Sequence, residues 1–165
     1  MIKTLSVVLF FSAMWMLSAQ VNGQSLAYRT LLKAYYDTDF PIVYPENEEL
    51  LQKAVLLDTR ERSEYEVSHL QDAKWVGYES FEITALGNTP KDTPLVVYCS
   101  IGARSQDIGK RLKQAGFQEV YNLYGGIFHW VNEGLPVYDK IGPTRKVHAY
   151  SRSWGIWVKN AQKVY

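Results

Sequence analysis

The sequence predicts an α/β fold: a three-layer α/β/α sandwich with a mainly parallel sheet of about five strands and helices on both faces. Three observations carry this. Short apolar runs, too brief for helices, recur at 42–44, 55–58, 74–77, 95–98 and 120–123, as expected of strands. Between them lie segments whose apolar residues return at helical spacing, the alternation that builds a parallel sheet. Residues able to do chemistry fall at the carboxyl ends of these runs, the edge where open α/β sheets bind ligands.

Residues 1–23 carry one charge, Lys3, ahead of the apolar block 5–17, the pattern of a secretory signal peptide. The block is shorter than the ~20 residues that span a bilayer. Val21-Asn22-Gly23 is the expected cleavage site and Ser18-Ala19-Gln20 the alternative. The expectation is an exported protein, periplasmic or secreted, with no stable membrane insertion after cleavage. Loss of Lys3 takes the formal charge from +1 to zero. That balance offers no global field for nucleic acid or acidic membranes. About 140 residues remain, enough for one cored domain. A single cysteine allows no internal disulfide, and an odd cysteine in an oxidising compartment is either intermolecular or reactive.

Residues 24–40 form an extension whose Leu26, Leu31, Leu32, Tyr35 and Tyr36 predict a short amphipathic helix packed on the domain. The domain itself is assigned to 41–138. It opens with an edge strand at 42–44, then a helix capped by Asn47 and running through Lys53 with Leu50 and Leu51 inward. The strand 55–58 delivers Asp58 and Arg60 to the ligand edge. They are either an ion pair behind the site, or a substrate contact, or a structural clasp holding the loops. A polar helix over 62–68 ends at His69. Lys74 to Gly77 forms the next strand, and Tyr78-Glu79-Ser80-Phe81 are expected at the pocket mouth. Residues 88–94, with two Pro, form a solvent loop.

The central stretch is 95–112, LVVYCSIGARSQDIGKRL. Its apolar run leads into Cys99, then a small-residue turn, then a helix from about Ser105 whose Ile108, Leu112 and Ala115 share a face. The thiol therefore stands at a strand-to-helix junction. Helix-start amides lack intrahelical partners and favour an anion, as does a neighbouring guanidinium, here that of Arg104. Gly102 permits a tight turn in which converging N–H groups form an anion nest. Gly116 ends the helix, with Phe117 as the apolar residue beyond the cap. Gly125-Gly126 follow the strand 120–123 on the ligand edge. Trp130 is read as core and His129 as surface. The three histidines, His69, His129 and His148, have no metal-ligand spacing with each other or with Cys99, so no metal is expected.

Cys99-Ser100-Ile101-Gly102-Ala103-Arg104-Ser105 resembles the active-site loop of the rhodanese family of sulfurtransferases. Three further stretches agree in order. Leu56-Leu57-Asp58-Thr59-Arg60-Glu61 resembles the family's strand ending in Asp-x-Arg. Glu64-Tyr65-Glu66-Val67-Ser68-His69-Leu70 with Ala73 resembles its "E-Y-x-x-G-H-I-x-x-A" segment, with Ser68 in place of Gly. Gly116-Phe117, Val120 to Leu123, Gly125-Gly126, Trp130 and Gly134-Leu135-Pro136-Val137 resemble its closing run. The match covers roughly 41–137.

The resemblance implies Cys99 as the nucleophile, with Ser100, Ile101, Gly102, Ala103 and Arg104 binding a small anionic sulfur donor such as thiosulfate. Asp58, Arg60 and Ser105 would support them from behind. A persulfide on Cys99 would then pass to a thiol, cyanide or a protein acceptor, without a cofactor. His69 is implied to be structural. Tyrosine-type and cell-cycle phosphatases also use a Cys-to-Arg anion loop, but with five intervening residues; here there are four. Arsenate or phosphate chemistry is thus a minor alternative, and a redox-sensing or binding module is a third reading. Residues 139–165 lie beyond the pattern. They mix Lys140, Arg145, Lys146, Arg152, Lys159 and Lys163 with Tyr150, Trp154, Trp157 and Tyr165, and are expected to dock on the domain or to contact a second copy or a partner.

Overall fold

A computed structural model describes residues 25–165. The apolar leader assigned to 1–23 lies outside the described residues. Helix α1 (Leu26–Tyr35) starts where the Ser25 hydroxyl accepts from the Tyr28 amide. Strand β1 (Ile42–Val43) follows, then α2 (Glu48–Lys53), whose Asn47 cap accepts from the Leu50 amide as expected. Next come β2 (Val55–Asp58), α3 (Arg62–Val67), β3 (Lys74–Trp75), a 3-10 turn (Ile83–Leu86) and β4 (Leu95–Tyr98). They are followed by α4 (Ala103–Gln114), β5 (Val120–Leu123) and α5 (Gly126–Asn132).

The five strands form one parallel sheet in the order β1-β5-β4-β2-β3. Successive side chains of a strand point to opposite faces, and the core divides accordingly. Val96 and Tyr98 of β4 join Leu123, then Tyr28 and Leu32 of α1, and Ile127, Phe128 and Val131 of α5. Leu95 and Val97 join Leu57, Val120, Phe81 and the Ile108 and Leu112 face of α4. This is the expected three-layer arrangement. Helix α4 begins two residues earlier than the periodicity indicates. At its end the Gly116 amide donates to Lys113 O and the Phe117 amide to Leu112 O, a Schellman closure with Gly116 at φ 93°.

Three expectations need correction here: Trp130, read as core, is only half-buried, with its Nε1 donating to Pro136 O at 2.9 Å. The third strand stops at Trp75 instead of reaching Gly77, because the Val76 and Gly77 amides both turn onto Asp58 O and Gly77 adopts φ 72°. His129 is buried, because α5 is enclosed on the sheet and Tyr124 packs edge-on against its ring at 5.6 Å.

Beyond the sheet the chain folds back over the α1 face. Strand β6 (Val137–Tyr138) pairs with β7 (Pro143–Thr144), and β8 (Lys146–His148) runs parallel to β9 (Gln162–Val164). Val147, Ala149 and Val158 are wholly buried with the first core cluster. Trp157 packs on Tyr28 at 5.3 Å and Trp154 meets Tyr35 edge-on at 5.7 Å. The basic-aromatic tail is thus docked, and the N-terminal extension is its platform.

Candidate active site

Cys99 follows β4 directly and is 1 % exposed. The Gly102 amide donates to its Sγ at 3.1 Å, the one loop N–H that does so among the described residues. Gly102 has φ 102°, and a Cβ there would fall 2.1 Å from Tyr36 Oη. The turn therefore requires glycine for its backbone and for space. The amides of Ala103, Arg104 and Ser105 open α4, where intrahelical acceptors are lacking, directly after the turn whose Gly102 amide reaches the thiol.

The loop is held from three sides. Ile127 and Phe128 of α5 donate their amides to Cys99 O and Ser100 O at 2.9 and 3.1 Å. Gly126 allows this approach, since a Cβ there would lie 2.3 Å from Cys99 O. Ser105 Oγ donates to Asn122 Oδ1 at 2.7 Å, and Asn122 Nδ2 donates to Gly102 O at 2.8 Å, tying the start of α4 to β5. Tyr36, just after α1, donates its hydroxyl to Ile101 O and accepts from the Gly125 amide, both at 2.7 Å.

Arg104 is not free. Its Nη1 and Nη2 donate to Glu64 Oε2 and Oε1 at 2.7 and 2.9 Å, and Nη2 also donates to Ser100 Oγ at 3.1 Å. Ser100 Oγ in turn donates to Glu64 Oε1 at 3.1 Å. Burial alone would raise the Glu64 carboxyl, but the Arg104 hydrogen bonds and charge, joined by Arg60, hold it below its ordinary value. Arg104 is pushed up: burial opposes its charge, but Glu64 and Cys99 favour it more. The patterning of 62–68 indicates only a polar helix. The role of Glu64 shows when α3 is folded against a loop 40 residues away. The one signal present was its place at the head of the "E-Y" segment.

Asp58 and Arg60 form a clasp with each other. Arg60 Nη2 meets Asp58 Oδ2 at 2.6 Å with both side chains 0 % exposed, and the same nitrogen donates to Ser68 O. Among the described residues neither side chain hydrogen-bonds to the Cys99 loop. His69 stacks on Tyr65 at 4.0 Å, and its backbone pairs with Tyr138.

The cavity over Cys99 has a volume of about 150 Å³. Its floor is Cys99, Ser100, Ile101, Ala103 and Arg104, and its rim is Tyr35, Tyr150 and Trp154. The mouth expected from 78–81 is therefore misplaced. Phe81 is buried in the opposite core layer, and Tyr78 is turned away by its hydroxyl bond to Asp107 at 3.0 Å. A larger cavity of about 580 Å³, bounded by Pro45, Leu51, Leu56, Trp130 and Tyr138, has no cysteine or cation in its lining. Among the described residues no group of three or more His, Cys, Asp or Glu is placed to hold a metal ion.

Comparison with known proteins identifies the family and supports the fold. The Rhodanese-like domain family model matches residues 45–133. A sulfurtransferase of Allochromatium vinosum is 35 % identical over 86 residues, covering 52 % of this chain and 79 % of that protein. The thiosulfate sulfurtransferase GlpE of Coxiella burnetii is 33 % identical over 84 residues, 50 % of this chain and 78 % of that one. Among solved structures, the polysulfide-sulfur transferase homodimer of Wolinella succinogenes superposes with a TM-score of 0.54 at 28 % identity, covering 69 % of this chain and 88 % of its own.

Proposed function

Since this chain belongs to the rhodanese-like domain family, we propose that it moves sulfane sulfur from an anionic donor such as thiosulfate to a thiophilic acceptor through a Cys99 persulfide. The observation that carries the reading is a lone cysteine at the floor of a small cavity, with an amide aimed at its sulfur and Arg104 in the same lining. In the first half-reaction the Cys99 thiolate attacks the outer sulfur of thiosulfate. The Cys99 S–S bond forms, the donor S–S bond breaks, and sulfite leaves with the electron pair. The Gly102 amide and the open amides of α4 stabilise negative charge on the transferred sulfur. In the second half a thiolate, cyanide or a protein thiol takes that sulfur and regenerates Cys99. His69 has no part in this; its ring is committed to Tyr65.

Four residues between Cys99 and Arg104 favour this reading over phosphate chemistry. The leader pattern at 1–23 supports export, so the acceptor is sought outside the cytoplasm; fractionation of cells carrying the full chain tests that placement. Initial rates with thiosulfate and cyanide varied together test the mechanism. Parallel double-reciprocal lines are expected, and intersecting lines with no sulfur held on the protein would refute the two-step route.

A further inference from the structure

The three aromatic residues at the cavity rim all lie outside the segment that matches the family, residues 45–133. Tyr35 comes from α1, Tyr150 and Trp154 from the tail. They are a feature of this chain's flanks, and the flanks are built to hold them in place. Tyr150 has φ 63°, and the Ser151 amide donates back to Ala149 O at 2.7 Å, so Tyr150 heads a tight γ-turn of the disfavoured hand. Such a backbone persists only where its surroundings enforce it. Here Val147 and Ala149 before it are fully buried, and the Gly155 amide closes the next turn onto Ser151 O. The result sets the Tyr150 ring 5.1 Å from the Arg104 guanidinium carbon.

The charge of the cavity points the same way. Among the described residues Arg104 is the one cation in its lining, and both terminal nitrogens are paired with Glu64. The side-chain charge offered to a dianion there is offset by the Glu64 carboxylate, whereas an apolar body meets three aromatic side chains. An apolar cavity of about 150 Å³ is the size that accepts one benzene ring.

We propose that Tyr35, Tyr150 and Trp154 form a subsite for the apolar body of a singly charged organic sulfur donor, selecting such donors over dianionic thiosulfate. This rests on the persulfide reading of Cys99 and names its donor class. For a thiosulfonate the step balances without an outside oxidant. The Cys99 thiolate attacks the terminal sulfur, the Cys99 S–S bond forms, the S–SO2 bond breaks, and the electron pair leaves on the sulfinate. Two negative charges stand on each side.

The test uses three donors that share this chemistry: thiosulfate, methanethiosulfonate and benzenethiosulfonate. Sulfur uptake by the full chain is followed by intact mass, each rate being divided by that of free cysteine to remove intrinsic reactivity. The wild type is expected to favour benzenethiosulfonate over methanethiosulfonate by about tenfold, with thiosulfate slowest. That ratio is expected to fall to within about twofold of unity in Tyr150→Ala and Trp154→Leu and to persist in Tyr150→Phe. Thermal midpoints confirm that the variants are folded; Tyr150 is 52 % exposed, so its truncation leaves the core intact. Thiosulfate as the best donor, no preference for the ring, or a ratio unmoved in both rim variants overturns the subsite while leaving persulfide transfer standing. No uptake from any of the three overturns the sulfurtransferase reading itself.

Discussion

Two arginine–carboxylate pairs sit at the carboxyl edge of the sheet, and they differ in what encloses them. Asp58–Arg60 is local in sequence and 0 % exposed on both sides. Glu64–Arg104 joins residues 40 apart and leaves Arg104 18 % exposed at the cavity floor. The first holds the loop after β2 to Ser68; the second ties the Cys99 loop to α3 and offsets the Arg104 charge. A buried ion pair gives little net stability over an apolar substitute, yet losing one partner is costly because the other charge is stranded. Degree of enclosure therefore decides which pair is structural and which is tunable.

The largest effect is expected at the enclosed pair. Asp58→Ala strands the Arg60 guanidinium, whose Nη1 already has no partner among the described residues, and should cost about 3–5 kcal/mol in denaturant unfolding. Glu64→Gln should cost less, about 1–3 kcal/mol, since Arg104 reaches solvent and keeps Ser100. It should also shift donor selectivity toward thiosulfate by freeing the Arg104 charge; an unchanged ratio of thiosulfate to benzenethiosulfonate rates would separate Glu64 from donor choice.

The same pair predicts a pH dependence. Glu64 titrates lower in the folded protein than in the unfolded chain, so its contribution is full above about pH 4.5 and is lost as pH falls through the lower folded value. The stability gap between wild type and Glu64→Gln should accordingly narrow in acid. A gap constant from pH 7 to the acid limit of folding would contradict the charge assignment. The smallest effect is expected at Ser105→Ala, about 1 kcal/mol, because it removes one bond to Asn122 and leaves the Asn122–Gly102 link.

The scaffold was readable because its signals are local. The β4 run, the glycine turn, the Asn47 cap and the Gly116 closure each depend on neighbours in sequence. The site was readable as far as its loop extends. Glu64 was not, because nothing in the pattern of α3 says which of its carboxylates will meet a loop 40 residues on. Strand-end position points to 78–81 for the rim, whereas the docked tail, held by contacts such as Tyr28–Trp157, decides which aromatics arrive. The burial of His129 is hidden for a related reason: a polar residue in a short helix suggests solvent, whereas the fold turns it inward beside Tyr124.

Persulfide transfer through Cys99 is tested by the intact mass of the protein purified without reductant, before and after thiosulfate or benzenethiosulfonate, for wild type and Cys99→Ser. A gain of one sulfur atom is expected, reversed by cyanide or a thiol and absent in the variant. An unchanged mass with both donors, on a thiol that alkylates normally, would contradict it.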